Sequence, residues 1–350
     1  MSGTNYVNWV RLLTALGIVV LVGILVAATA VSPIEPVIRR DFPDPAVLGV
    51  GDTFYAYSTA SRYGKQFWHV PIQRATELTG PWTQVGDALP VLPEWALRDS
   101  HGKGDVTAPE VAALGPDAYL LYFVARSASL NAQCIGAALA GSPAGPFHPQ
   151  SAPLVCQQNY VDSIDPQAFV DHDRRRYLLY ASGQTRTTIW LQQVSGDGTI
   201  PIGDRSALMR ADRPEEANIV EAPSLAEHAG HYLLFYSGNT FNSGSYFVNY
   251  AIAPTLLGPY TKHDGQFLNR ADLGGGYTNP GGQTLVADGR RDDLVFHASV
   301  GPSERAMFVD GVSWGPDGRP VLQLNNGLAP RYAALNHGLD ALARSGLASR

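Results

Sequence analysis

Five strand-like runs can be laid on one another along the chain: TFYAYST (53–59), YLLYFVA (119–125), YLLYAS (177–182), YLLFYSG (232–238) and DLVFHAS (293–299). Their anchor positions, Tyr57, Phe123, Tyr180, Tyr236 and His297, lie roughly 56–66 residues apart, a period that signals stacked or radial repeats. Turn formers precede each run, as at Gly51-Asp52, Gly115-Pro116-Asp117 and Ala229-Gly230, so each run reads as the second strand of a hairpin. A second marker follows three of them. Gly80-Pro81-Trp82, Gly145-Pro146-Phe147 and Gly258-Pro259-Tyr260 look like turns into an outer strand, where the other repeats carry Trp190 with Asp197-Gly198 and Trp314 with Asp317-Gly318. Beyond the N-terminal segment no stretch sustains a 3.6-residue apolar period. Four strands in each of five repeats predict an all-β, five-bladed β-propeller around a central channel. A β-sandwich would leave the likeness of the repeats unexplained.

Gly 36 and Pro 25 in 350 residues suit many short strands joined by turns. A net charge of −6 with no basic stripe excludes nucleic acid as a partner. Leu12–Val31 is uncharged and ends beside Ala28-Thr29-Ala30, which has the small-x-small form of a signal-peptidase site. Residues 1–30 therefore read either as a cleaved signal peptide or as a retained membrane anchor. In both readings the rest of the chain is exported, and a membrane is a partner only if the segment stays. Residues 31–38 then form a short linker, 39–325 the propeller and 326–350 a C-terminal tail. Cys134 and Cys156 are the only cysteines and lie within one repeat. A disulfide and two buried thiols both fit them, and a metal site does not.

Three acidic signatures precede the strand runs by similar gaps: Phe-Pro-Asp44-Pro, Ser-Ile-Asp165-Pro and Val-Glu221-Ala-Pro-Ser. Repeats that place a carboxylate at one equivalent position bring those carboxylates together, here on channel-lining strands near one mouth. Converging carboxylates are the equipment of a glycoside hydrolase. One activates water, one protonates the leaving oxygen, and a third ionised nearby raises the pKa of the acid. Each residue alone has a plainer reading: Asp before Pro is a common turn residue, and Glu in an apolar strand is often a buried ion-pair partner. As a set in register they argue for catalysis. Glu110, after Pro109, reads as a structural or supporting residue. Trp68, Trp190 and Phe241 are candidate platforms for sugar rings, although aromatics in blades also serve packing.

The motifs PDPAVLGVGDTFYAYS (43–58), APEV (108–111), IDPQAFVD (164–171), VEAPSL (220–225), YLLFYSGN (232–239) and FHAS (296–299) resemble those of family 43 glycoside hydrolases, over about Arg39 to Leu322. That family comprises arabinanases, α-L-arabinofuranosidases and β-xylosidases on a five-bladed propeller. The resemblance implies that Asp44 is the general base, Glu221 the general acid and Asp165 the carboxylate that tunes and orients the acid. It places His297 at a channel histidine near a structural calcium held partly through water, and Arg305 at a sugar-contacting arginine. No cofactor is implied for the chemistry itself. Two departures stand out: Thr107 replaces a frequent Trp before Ala-Pro-Glu, and Gly281-Gly282-Gln283 replaces a frequent Gly-His pair. The chain also ends soon after the propeller, which in this family favours an arabinose-releasing enzyme. The expectation is an exported, inverting hydrolase that releases α-L-arabinofuranosyl units from arabinan or arabinoxylan. Its partners would be arabinose- or xylose-containing polysaccharides or oligosaccharides. Endo-arabinanase and β-xylosidase remain open within the family, and a sugar-binding propeller without catalysis remains open outside it.

Overall fold

Each of the five aromatic runs forms the second strand of a four-stranded antiparallel sheet, and these sheets are the blades of a propeller. The computed structural model describes residues 34–324 except 158–160, 275 and 288–290. Blade 1 holds β1 (Ala46–Val50) and β2 (Thr53–Tyr57), then an inserted hairpin of β3 (Ser61–Tyr63) and β4 (Gln66–Trp68), then β5 (Pro71–Ala75) and β6 (Thr83–Asp87). Blade 2 holds β7 (Val106–Gly115), β8 (Ala118–Arg126), β9 (Gln133–Ala140) and β10 (His148–Pro149). Blade 3 holds β11 (Ser163–Val170), β12 (Arg176–Ser182), β13 (Thr188–Val194) and β14 (Ser206–Arg210). Blade 4 holds β15 (Val220–His228), β16 (His231–Gly238), β17 (Phe247–Ala253) and β18 (Thr261–Lys262). Blade 5 holds β19 (Thr278–Ala287), β20 (Asp292–Ser299), β21 (Arg305–Trp314) and β22 (Pro320–Leu322). Each innermost strand, β1, β7, β11, β15 and β19, touches the next, and β19 returns to β1. The segment before β1 completes the closure. The Val37 amide donates to the Met307 carbonyl at 2.8 Å and the Phe42 amide to that of Arg305 at 2.6 Å, which ties the start of the chain to the last blade.

The core lies in the seams between blades. On β8, Tyr119, Leu121 and Phe123 pack toward blade 1, while Leu120, Tyr122 and Val124 pack toward blade 3. A strand buried on both faces reads as a continuous apolar run rather than an alternating one, which explains the YLLYFVA pattern. Comparable clusters fill the remaining seams, with Leu179 and Leu234 between blades 3 and 4, Phe235 and Phe296 between 4 and 5, and Ala56 and Val295 between 5 and 1. Burying a Phe or Leu side chain stabilises by about 1.5–3 kcal/mol, so the seams supply the main force holding the ring together.

Every innermost strand opens on the same local device, a residue with positive φ followed by proline. The pairs are Asp44-Pro45 (φ 52°), Ala108-Pro109 (46°), Asp165-Pro166 (54°), Ala222-Pro223 (49°) and Asn279-Pro280 (54°). In blades 2 to 5 the ladder slips across this point, between Thr107 and Glu110, Ile164 and Gln167, Glu221 and Ser224, and Thr278 and Gly281. Such a bulge sets extra residues against one partner and re-aims their side chains. It also corrects the sequence register. Asp44 and Asp165 occupy the equivalent place, but in blade 4 Ala222 takes it and Glu221 stands one residue earlier. The anchors shift likewise. The residue after the bulge proline faces Tyr57, Tyr122, Leu179, Phe235 and His297 in successive blades, so Phe123, Tyr180 and Tyr236 are one place off the register of Tyr57 and His297.

The three Gly-Pro-aromatic markers share a cis peptide bond. Cys134 and Cys156 are joined in a disulfide that fastens β9 to the segment after β10. The run containing the signal or anchor expectation and the 326–350 tail both lie outside the described residues. Replacing both cysteines by serine should cost about 2–4 kcal/mol, read as a lower denaturation midpoint. An unchanged midpoint would show that the bridge does not stabilise blade 2.

Candidate active site

The innermost strands of all five blades contribute to a cavity of about 350 Å³ at the end of the channel where those strands begin. Asp44, Asp165 and Glu221 all line it, together with Arg305, Phe241 and Tyr246. The three carboxylates foreseen from the repeats therefore share one enclosure, although they come from two different register positions.

Asp44 is gripped on both oxygens. Its Oδ2 accepts from the Thr59 hydroxyl at 2.6 Å, and Arg305 Nη1 lies 3.2 Å from Oδ1. Its backbone amide donates to His297 Nδ1 at 3.1 Å. Burial works to raise the pKa of this carboxyl, but Arg305 and the surrounding hydrogen bonds outweigh it and hold the group well below the usual carboxylate range. His297 Nδ1 also lies 3.2 Å from Oδ1. Because that nitrogen accepts the Asp44 amide, Arg305 and Thr59 are the groups that favour the charge. Burial, helped by Arg305, pushes the His297 pKa down, which keeps the ring neutral with its proton on Nε2.

Asp165 and Glu221 are driven the opposite way. Burial raises Asp165 first, and the Asp44 charge adds to it, against an opposing hydrogen bond of 2.9 Å from the Ala222 amide. Glu221 is raised by burial and then by Asp165, against a 2.8 Å hydrogen bond donated by the Tyr246 hydroxyl. The expected like-charge repulsion is thus present but second to desolvation. The two groups titrate as a pair, which retains a proton into the neutral range while Asp44 is ionised.

The remaining sequence candidates divide. Arg305 opens β21, lines the cavity and stacks its guanidinium on Phe241 at 5.0 Å. Phe241 is 45% exposed at the rim and so available to a ligand. Trp68 and Trp190 are not among the lining residues. Trp68 lies on the inserted hairpin, and Trp190 lies on a third strand under the Arg205 guanidinium at 4.0 Å. There Trp190 packs into the seam between blades 2 and 3. His297 is fully buried behind Asp44 and does not line the cavity. Its Nε2 has no hydrogen-bond partner among the described residues. Calcium takes six to eight oxygen ligands, yet no group of three ligand side chains among the described residues includes His297. The donor set does not fit a calcium held directly by these side chains. The one such group, Asp171, His172 and Glu227, sits at the far ends of β11 and β15.

Three contributors escaped sequence reasoning. Thr59 is the last residue of the first strand run, and its hydroxyl also accepts the Ala108 amide at 2.8 Å, linking the openings of the innermost strands of blades 1 and 2. Tyr246 belongs to no repeated motif, and only the fold brings it to Glu221. Gly282 has φ 57°, and a Cβ there would lie 2.5 Å from His297 Nδ1 and 3.0 Å from Asp44 Oδ1. Glycine is required there because Asp44 and His297 fill the space a Cβ would take.

A family model described as glycosyl hydrolases family 43 matches residues 34–320. Arabinan endo-1,5-α-L-arabinosidase B of Emericella nidulans is 25% identical over 317 residues, covering 73% of this chain and 75% of that protein. Probable arabinan endo-1,5-α-L-arabinosidase A of Aspergillus flavus is 27% identical over 202 residues, covering 56% of this chain. The chain spans 58% of the length of that relative, less than two thirds. Among solved structures, a thermostable family-43 glycoside hydrolase superposes with a TM-score of 0.71 at 25% identity, over 83% of this chain and 96% of that one.

Tyr246→Phe removes a donor that favours ionised Glu221. The titration midpoint of Glu221 should therefore rise by about half a unit to one unit, measured by carbon-13 NMR of labelled glutamate carboxyls. A fall, or no change, would contradict the hydrogen bond as described.

Proposed function

Since the chain belongs to glycosyl hydrolases family 43 and is a glycoside hydrolase, we propose that it cleaves α-L-arabinofuranosyl linkages of arabinan outside the cytoplasm, with inversion at the anomeric carbon. The observation that carries the chemistry is the opposite perturbation of carboxyls in one cavity, with Asp44 held ionised and Glu221 held protonated. Groups pushed apart in this way divide into base and acid. In this reading Asp44 takes a proton from water as the water oxygen attacks the anomeric carbon. Glu221 donates its proton to the glycosidic oxygen as the carbon–oxygen bond breaks. Asp165 holds the Ala222 amide beside Glu221 and adds negative charge that keeps the acid protonated. Arg305 fixes the Asp44 carboxylate, and Phe241 offers an apolar face for the sugar at the rim.

Arabinan is favoured as substrate by relatives named for α-1,5-linked arabinan at 25–27% identity. Their names specify internal cleavage, so shortening of linear arabinan is the second reading beside release of terminal units. Export rests on the uncharged run 12–31. Purified protein should release arabinose or short arabino-oligosaccharides from linear arabinan, and product sizes over time separate the two modes. Release of xylose alone from xylan would move the substrate class. No sugar from either would favour a binding propeller.

Glu221→Gln should cost several orders of magnitude on arabinan but far less on aryl arabinofuranosides with good leaving groups, which barely need protonation. Equal loss on both would remove Glu221 from the acid role. Asp165→Asn deletes a negative charge beside Glu221, so the alkaline limb of the pH–rate profile should move to lower pH. An unmoved limb would leave Asp165 a purely structural part.

A further inference from the structure

Three seams of the propeller carry the same side-chain clasp, and one of its members is an acid. The residue directly after the bulge proline reaches across to the innermost strand of the next blade. Gln167 does so from blade 3, its Oε1 accepting the Leu225 amide at 3.1 Å and its Nε2 donating to the Leu225 carbonyl at 3.4 Å. Ser224 does so from blade 4, its hydroxyl accepting the Leu285 amide at 3.1 Å. In blade 2 the position belongs to Glu110, whose Oε1 accepts the Ala168 amide at 3.2 Å. Ala168 follows Gln167 as Leu225 follows Ser224, so the Glu110 and Gln167 clasps are equivalent in register.

We propose that Glu110 is a positioning residue for Asp165, clasping β11 as a protonated carboxyl in the way that Gln167 clasps β15 as an amide. A carboxylic acid and a primary amide share one geometry. Oε1 accepts the Ala168 amide, and a protonated Oε2 would supply the donor that Nε2 supplies in Gln167. The clasped strand carries Asp165, and Asp165 in turn accepts the Ala222 amide beside Glu221. Blades 2, 3 and 4 are thereby linked in series through the Glu110 and Asp165 carboxyls.

The surroundings suit the acid form. The ionisable groups facing the site are Tyr122 opposite on β8, Asp165 on β11 with Asp162 just before that strand, and Asp44, Glu221, Tyr246 and Arg305 across the cavity, with Arg176 reaching the Ala113 carbonyl of β7 from β12. No cation pairs with Glu110 among the described residues. Burial pushes its carboxyl up to about 8, against the Ala168 amide. A folded-state value above the unfolded one means that the folded protein binds the extra proton. This stabilisation is fully present below about pH 4.5 and is lost as pH rises toward 8. Glutamine cannot ionise and would keep the clasp throughout.

The inference rests on Asp165 belonging to the catalytic set, and the test has an arm that needs no turnover. Melting temperatures of wild type, Glu110→Gln and Glu110→Ala would be followed from pH 5 to pH 8. Wild type should lose ground steadily to Glu110→Gln as pH rises, while Glu110→Ala lies below both at pH 5. On arabinan, Glu110→Ala should lower kcat roughly tenfold with little change in KM, and Glu110→Gln should restore it. A wild-type minus Glu110→Gln difference that is flat with pH would overturn the protonated clasp. Glu110→Gln as damaged as Glu110→Ala, or a change confined to KM, would make Glu110 a sugar contact instead. If wild type melts as expected but cleaves no arabinan, the functional reading fails and the clasp stands.

Discussion

The contact between Arg305 and Asp44 sets the state of everything around it. A buried carboxylate without a counter-charge would take up a proton, because removing an ion from water costs several kcal/mol. Here the guanidinium 3.2 Å away and the Thr59 hydroxyl at 2.6 Å keep Asp44 ionised. The cation is confined to that side of the cavity. Among the described residues, Asp165 and Glu221 receive only single hydrogen bonds, from the Ala222 amide and the Tyr246 hydroxyl. Burial and the neighbouring charge then win, and their proton stays. One arginine therefore divides three carboxyls of similar intrinsic acidity into an acceptor and a proton-holding pair.

That division needs backbone as well as charge. A left-handed residue before proline opens every innermost strand, and four of the five are followed by a slip in the ladder. Non-glycine residues in this conformation cost about 1–3 kcal/mol each and persist where the surroundings over-determine them. Asp and Asn tolerate it better than other side chains, which suits Asp44, Asp165 and Asn279. Ala108 and Ala222 have no such excuse. In blade 4 the alanine lines the cavity beside the preceding Glu221.

Much of this was legible in the sequence. The period of the aromatic runs gave the blade count, because each run is a strand buried on both faces. The carboxyls before those runs gave the cavity, since equivalent positions converge on the channel. What the sequence hid follows from its one-dimensional reading. Glu221 stands one place earlier than Asp44 and Asp165, an offset visible only when the prolines rather than the carboxyls are aligned, as in Glu221-Ala222-Pro223 against Asp44-Pro45. Tyr246 and Thr59 act through contacts made only once the blades close. Trp68 and Trp190 looked like sugar platforms because an aromatic in a strand does not announce which face it takes. Glu110 read as a structural or supporting residue from the sequence, and the clasp it shares with Gln167 and Ser224 gives that role its geometry.

The account stands or falls on whether the charge of Asp44 holds up the proton affinity of its neighbour. Carbon-13 NMR titration of labelled aspartate carboxyls, in wild type and in Asp44→Asn, reads this without any substrate. Wild type should show one aspartate titrating well below the ordinary range and Asp165 well above its usual value of 3.8. In Asp44→Asn the low group should vanish and the Asp165 midpoint should fall, because a negative charge has been removed and Arg305 is left to favour the carboxylate. An Asp165 midpoint that stays in place, or rises, would contradict the account.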